Sequence, residues 1–289
     1  MNYSLKSYSL VNKFRGAWLG SYLGVAKAPD QRYSEKLLGA GKIAELGAKS
    51  LVKIGYLDLV HWQEQTQISD RTLLNLAGLL QIPEAIWVSL PVILFYHEQP
   101  QKLAPALLST LNFWLHPQVS PASGLALGSA IALLLGKNPH APEIITHTDL
   151  GMILGLPHKF WQNLPCLELA IKEITRHTSP SYGPIAIACY CFLSTPEDFS
   201  LSIRRAILAP QPEITAALVG ILSGAYNGFR GILFSWYWES RELSNSLSGN
   251  LVSDQYQLID QLFAVWAGHY HTPPNPAWQN QIVTVPASK

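Results

Sequence analysis

Charge is scarce in this 289-residue sequence. Asp, Glu, Lys and Arg make up 13% of it, against about a quarter in an average globular chain. With 48% hydrophobic residues, that excludes a disordered polypeptide and calls for a large buried core. The 20 basic and 19 acidic residues leave a formal net charge of +1 and form no basic block. A surface that tracks phosphates needs clustered Lys and Arg, so nucleic acid is excluded as a main partner. Cysteine is nearly absent. Cys166, Cys189 and Cys191 are an odd set without recurring spacing, which gives neither a disulfide framework nor a zinc motif. All three read as buried small hydrophobes, and they suit a reducing, cytoplasmic setting.

Other absences are as informative. No stretch alternates apolar and polar residues with period two, and no Asn-Gly hairpin separates strand-like segments, so no sheet is expected. Mean hydropathy is +0.13, yet the most apolar runs, residues 122–135 and 214–226, fall short of the roughly 20 residues of a spanning helix. Lengthening the second run brings in Asn227 and Arg230. No membrane span is expected. Residues 1–13 are polar and lack an apolar h-region, so no signal peptide is expected either. There is no Gly-x-Ser-x-Gly elbow, no phosphate loop and no dinucleotide fingerprint.

What is present is helical. Residues 11–26 carry Gly16, Gly20 and Gly24 four apart, and Gly220, Gly224 and Gly228 repeat that spacing in a second small-residue segment. Glycines four apart lie on one helix face and let another helix approach closely. Further helices are predicted over 38–59 (interrupted by glycines), 73–81 (capped by Ser69 or Asp70), 102–115, 121–136, 164–177, 182–193, 196–208 and 256–270. A short helix between Pro83 and Pro91 is followed by residues 92–98, and residues 61–66 read as a polar loop. The fold is expected to be all-α, a compact single-domain multi-helix orthogonal bundle over residues 1–271, with a Pro-rich tail at 272–289. A charged, Ser-rich linker covers 239–254. No repeat of 20–50 residues indicates a solenoid.

The second glycine segment opens at a break bracketed by Pro210 and Pro212. A helix N-terminus there presents free N–H groups and a positive dipole end, which suits a metal-ligand loop or an anion. Together with the first helix, it carries a resemblance. The run Phe14-Arg15-Gly16-Ala17-Trp18-Leu19-Gly20-Ser21-Tyr22-Leu23-Gly24-Val25 is similar to the N-terminal glycine helix of the ADP-ribosylglycohydrolase family. Ser69-Asp70-Arg71-Thr72 resembles that family's first metal motif, and Gln211-Pro212-Glu213-Ile214 stands in the place of its second. Gly224-Ala225-Tyr226-Asn227-Gly228 closes the metal helix. Leu115-His116-Pro117, Ser181-Tyr182-Gly183-Pro184 and the substrate-loop equivalent Trp87-Val88-Ser89-Leu90-Pro91 keep the family's order, between about residues 13 and 238.

The resemblance implies an all-α hydrolase that uses two Mg²⁺ or Mn²⁺ ions to release ADP-ribose from N- or O-glycosyl bonds. The departures imply that this activity is lost. Hard divalent ions need carboxylate and hydroxyl ligands. Arg71 replaces a carboxylate, Gln211 replaces an aspartate, Ile214 replaces a threonine and Val25 replaces an acid. Asp70 and Glu213 cannot hold two metals, so neither metal nor cofactor is expected. The remnant pocket is expected to comprise Ser69, Asp70, Arg71, Thr72, His116, Tyr182, Gln211 and Glu213, with no catalytic residue. Arg71 is expected to pair with Asp70 and Glu213 in place of the metal charge. Each residue also has a plain structural reading: Asp70 as a helix N-cap, Glu213 as a first-turn residue favoured by the dipole, His116 as a helix end, and Tyr182 and Trp236 as core aromatics. His269 and His271 lack the partners of a metal site.

Three functions follow. The leading one is a catalytically inactive module that binds a protein partner or dimerises through its many Trp and Tyr residues. The alternatives are a diverged hydrolase and a metal-independent sensor of a nucleotide or ADP-ribose-like ligand.

Overall fold

A computed structural model describes residues 9–28, 35–136, 141, 148, 150–232 and 251–269. The predicted tail at 272–289, most of the 239–254 linker, most of the 139–148 connection, Trp236 and His271 lie outside the described residues. Within them the chain is all α-helix with 3-10 turns and no strand. The helices are α1 Leu10–Ala26, α2 Glu35–Ile54, α3 Leu59–Ser69, α4 Ile82–Tyr96, α5 Pro100–Trp114, α6 Ala122–Leu135, α7 Leu150–Ile153, α8 His158–Gln162, α9 Leu167–His177, α10 Gly183–Ser194, α11 Phe199–Ala206, α12 Pro212–Asn227 and α13 Leu251–Trp266. Among the described residues no helix is long and apolar enough to cross a membrane.

The glycine spacing does what it predicts. α1 and α12 lie antiparallel, with Gly16 opposite Gly224, Gly20 opposite Gly220 and Gly24 opposite Ala216. A methyl added at Gly20 would overlap the Gly220 carbonyl oxygen, and one added at Gly220 would overlap that of Gly20. No side chain separates the two backbones. Gly228 plays a different part: with φ 64° and ψ 177° it ends α12, in the left-handed half of backbone space that glycine adopts without strain.

Helices apolar on all sides surround this pair. α4, α6 and α10 bury almost every residue they contain, the pattern of central helices in a large core. α13 crosses α1 through a bidentate Arg15–Asp260 pair with both N–O distances at 2.7 Å. The Trp18 indole N–H donates to Gln255 Oε1 at 2.8 Å, and Phe14 meets Phe263 edge-on. Lys13 is 4% exposed. Its ammonium donates to the carbonyls of Leu134 at 2.9 Å and Gly136 at 2.7 Å. A cation thus closes the C-terminal end of α6, where helix carbonyls lack partners and the dipole is negative.

Several local expectations are corrected. Residues 61–66 belong to α3 rather than a loop. Asp58 accepts a hydrogen bond from the His61 amide and starts the helix, and only Trp62 and Thr66 are buried, so the apolar signal is one residue per turn. The predicted helix at 73–81 is instead a 3-10 turn, Arg71–Leu76, followed by Gly78 at φ 70° and a bridge from Leu80 to Leu115. α4 runs through Pro91. α2 is continuous: its glycines at 41 and 47 lie under the rings of Trp87 and Trp62, so they are sockets and not breaks. Cys166 is exposed, while Cys189 and Cys191 are buried, and burial pushes both of those thiols up to about 12.

Two outcomes test this account by urea denaturation. Gly20→Ala, which in an open helix would gain about 1 kcal/mol, should instead lose roughly 2–4 kcal/mol from overpacking; Gly183→Ala, with open space around its Cα, should lose none. Burial holds the Lys13 amine down at about 8, so the unfolded chain binds its proton more tightly. Stability of the native protein should therefore rise as pH increases from about 8 towards the ordinary lysine range. Lys13→Met should abolish that rise.

Candidate functional site

The antiparallel α1–α12 pair brings the C-terminal end of α1 to the N-terminal end of α12. Gly24 faces Ala216 there, one turn into α12. Pro212 is the first helical residue, and Gln211 caps the helix with no side-chain hydrogen bond. Glu213 sits half-buried in the first turn, where its charge favours the positive dipole end. Val25, the residue after Gly24, is 6% exposed and Ile214 7%, and the next residue of α12, Thr215, buries its hydroxyl. No hydrogen bond or ion pair joins Gln211 or Glu213 to the other predicted pocket residues.

Ser69, Asp70, Arg71 and Thr72 lie where α3 passes into the 3-10 turn. All four are exposed. Asp70 caps that turn: Oδ1 accepts from the Thr72 amide at 2.9 Å and from the Thr72 hydroxyl at 2.6 Å. These bonds, the hydroxyl first, hold the Asp70 carboxyl below its ordinary range. His116 stands beside the same region. Its amide donates to the Leu80 carbonyl at 3.0 Å, and its Nδ1 accepts from the Gln118 amide at 3.3 Å. Tyr182 is half-buried at the start of α10. The Asp70–Thr72 contacts are the only side-chain hydrogen bonds among the eight.

The expected Arg71 bridge is not formed. Arg71 is exposed and makes no ion pair with Asp70 or Glu213. The physical reason is local: Asp70 spends one oxygen on its own turn, and the guanidinium keeps its hydration. Among the described residues, no group of three or more His, Cys, Asp or Glu side chains is placed to hold a metal. The two ions implied by the resemblance do not fit the donor set around Glu213, where Val25 and Ile214 carry no oxygen and Thr215 offers a single hydroxyl.

Unmet buried polar groups lie on α4 and α12. Tyr22 donates its hydroxyl to the Gly41 carbonyl at 3.1 Å and meets the Trp87 ring edge-on at 5.3 Å. Burial drives the Tyr22 phenol far above its ordinary range. The Trp87 indole nitrogen is buried without a hydrogen-bond partner, and so are Glu84 Oε2 and Thr215 Oγ1. Glu84 pairs weakly with Lys36 at 3.5 Å. Buried polar atoms are rarely left unpaired. Trp87 is visible in the sequence as part of the substrate-loop equivalent. Tyr22 lies within the first glycine-helix run without being a motif residue of it, and Glu84 and Thr215 carry no motif, because what distinguishes them is burial.

No family model matches the sequence, and no curated protein matches it. The structure is similar to a solved one described as an ADP-ribosylglycohydrolase-related protein complex. The TM-score is 0.63 at 16% identity, over 89% of this chain and 99% of that one. The all-α fold is therefore of the ADP-ribosylglycohydrolase type.

Asp70→Ala should free the Thr72 amide and speed hydrogen exchange across residues 71–76 by about fivefold, the effect of losing a cap, with no change in α12. In the native protein the same loss should appear on acidification. A carboxylate with a depressed folded value contributes above its unfolded value of about 4 and fades as pH falls through the folded one.

Proposed function

We propose that this chain is a catalytically inactive ADP-ribosylglycohydrolase-like protein that serves as a protein-interaction or regulatory module. The observation that carries the reading is how its two surviving carboxylates are engaged. Asp70 is exposed and bonded to its own turn, and Glu213 stands half-buried in the first turn of α12 with no hydrogen bond or ion pair to another predicted pocket residue. Lewis-acid hydrolysis with Mg²⁺ or Mn²⁺ needs several oxygen ligands converging on one point, and Val25 and Ile214 supply none. The similar solved structure is described as a complex, which favours a protein partner or a second copy as the ligand of this fold. The low charge and many aromatic residues agree with that. The two-part organisation, residues 1–271 with a Pro-rich tail, and a cytoplasmic setting belong to the same proposal.

A second reading is a metal-independent sensor of a nucleotide or ADP-ribose-like ligand. The unpartnered indole nitrogen of Trp87 and hydroxyl of Thr215 favour it, since both can donate to a bound ligand.

Isothermal titration with Mg²⁺, Mn²⁺ and ADP-ribose separates these. The expected result is no metal affinity tighter than micromolar and no release of ADP-ribose from a modified protein. Tight metal binding would overturn the inactive reading. ADP-ribose binding without metal, lost in Trp87→Phe, would establish the sensor.

A further inference from the structure

Away from the candidate site, a buried histidine closes the contact between α4, α1 and α13. His97 is 7% exposed and follows the last turn of α4. Its Nδ1 lies 2.8 Å from the Leu94 carbonyl. A carbonyl only accepts, so Nδ1 carries the proton and Nε2 of the neutral ring is bare. Nε2 is buried and has no partner. The ring is held between Phe14 of α1, at 5.4 Å, and Trp266 of α13, at 5.2 Å. Phe14 and Trp266 also touch each other. A proton added at Nε2 would therefore make a cation with no acceptor, walled in by aromatic carbon.

The charges around the ring do not relieve this. From α1, Lys13 presents an ammonium fixed on the α6 carbonyls, and it opposes a second positive charge. From α13 come the uncharged Phe263 and Trp266, and Asp260 of that helix is occupied by Arg15. The one helpful charge is Glu98, exposed in the turn that follows. Nε2 is out of reach of water while the ring stays between Phe14 and Trp266.

We propose that His97 is an acid-sensitive latch, whose protonation undocks the C-terminal end of α13 from α1 and α4. The Arg15–Asp260 and Trp18–Gln255 ties lie earlier in α13 and hold the rest of that helix in place. Burial lowers the affinity of the docked ring for a proton, against smaller opposing effects of the Leu94 carbonyl and Glu98, and Lys13 adds the smallest contribution. The undocked ring recovers the ordinary histidine value of about 6.5. The docked form is thus favoured above that pH. Below it the docked-to-undocked ratio falls by up to about tenfold per pH unit, until the ring protonates in place.

The test is hydrogen exchange of the full chain at pH 7.5 and pH 5, corrected for intrinsic rates. Protection of the amides at 261–267 should fall at least about tenfold at the lower pH, with α12 unchanged. His97→Phe keeps an aromatic ring in the slot and should remove the pH difference. Equal protection at both pH values, or the same loss in the variant, overturns the latch. Should the variant not fold, the native protein decides by NMR. His97 Cε1–H titrating below the ordinary histidine range, together with the Trp266 indole signal, supports the latch. Titration at or above that range, as a dominant attraction to the Trp266 face would produce, overturns it, and so does an unmoved indole.

Discussion

The backbone-to-backbone seam between α1 and α12 is the constraint on which the rest of the structure depends. Gly16, Gly20, Gly220 and Gly224 each lie against a carbonyl of the facing helix, so the helices approach as closely as their main chains allow. Such an approach forfeits the roughly 1 kcal/mol per residue that alanine would add to each helix. It gains dense dispersion contact and a fixed register, because a shift of one residue would drive a side chain into a carbonyl. Every helix packed on the pair inherits that register. α13 reads it through Arg15 and Trp18, α6 through Lys13, and α10 through the Phe192–Tyr226 contact.

The scarcity of charge sharpens this picture. The few interior charges interlock helices. Lys13 closes α6, Arg15 grips Asp260 beneath the Tyr256 ring, and Arg205 donates to the buried Tyr190 hydroxyl, which in turn donates to the Pro165 carbonyl. A buried charge costs several kcal/mol unless its hydrogen bonds are met; Lys13 meets them with main-chain carbonyls and Arg15 with a fixed carboxylate, while Arg205 keeps a buried Nε without a partner. Glu213, at the position where the resemblance implies chemistry, has no such bond, and its neighbours Val25 and Ile214 are aliphatic.

Much of the fold was legible because the seam has a period. Glycines four apart in two distant segments predict two closely packed helices, and continuous apolar runs predict α6 and α10. Failures cluster where the deciding interaction is not local. α3 looks like a loop because only Trp62 and Thr66 face the core. α2 looks broken because the aromatic rings that fill its glycine sockets come from Trp62 and Trp87. Pro91 looks like a boundary, whereas α4 is held straight by burial on all sides. The candidate site was legible in part. Asp70 as a cap follows from its place before the turn. The Arg71 bridge required a knowledge of distance that no motif contains, and the unmet groups of Glu84, Trp87 and Thr215 exist only once α4 and α12 are packed into the core.

On the proposed inactive reading, the same seam accounts for how this architecture could part with a reactive centre and stay folded. The residues that hold α1 against α12 are glycines and one alanine, whose role is steric and whose environment is dry. The positions compared with metal ligands lie outside that contact: Gln211 and Glu213 before and within the first turn of α12, Val25 one residue past Gly24, and Asp70 in an exposed turn. Replacing an oxygen ligand at Val25 or Ile214 by an aliphatic side chain adds apolar burial at about 25 cal/mol per Å² and removes a carboxylate that would otherwise need a counter-charge. Stability and metal chemistry therefore pull in opposite directions at this junction. Once a metal no longer neutralises the carboxylates, hydrophobic substitution there is the downhill path, and the seam is left untouched.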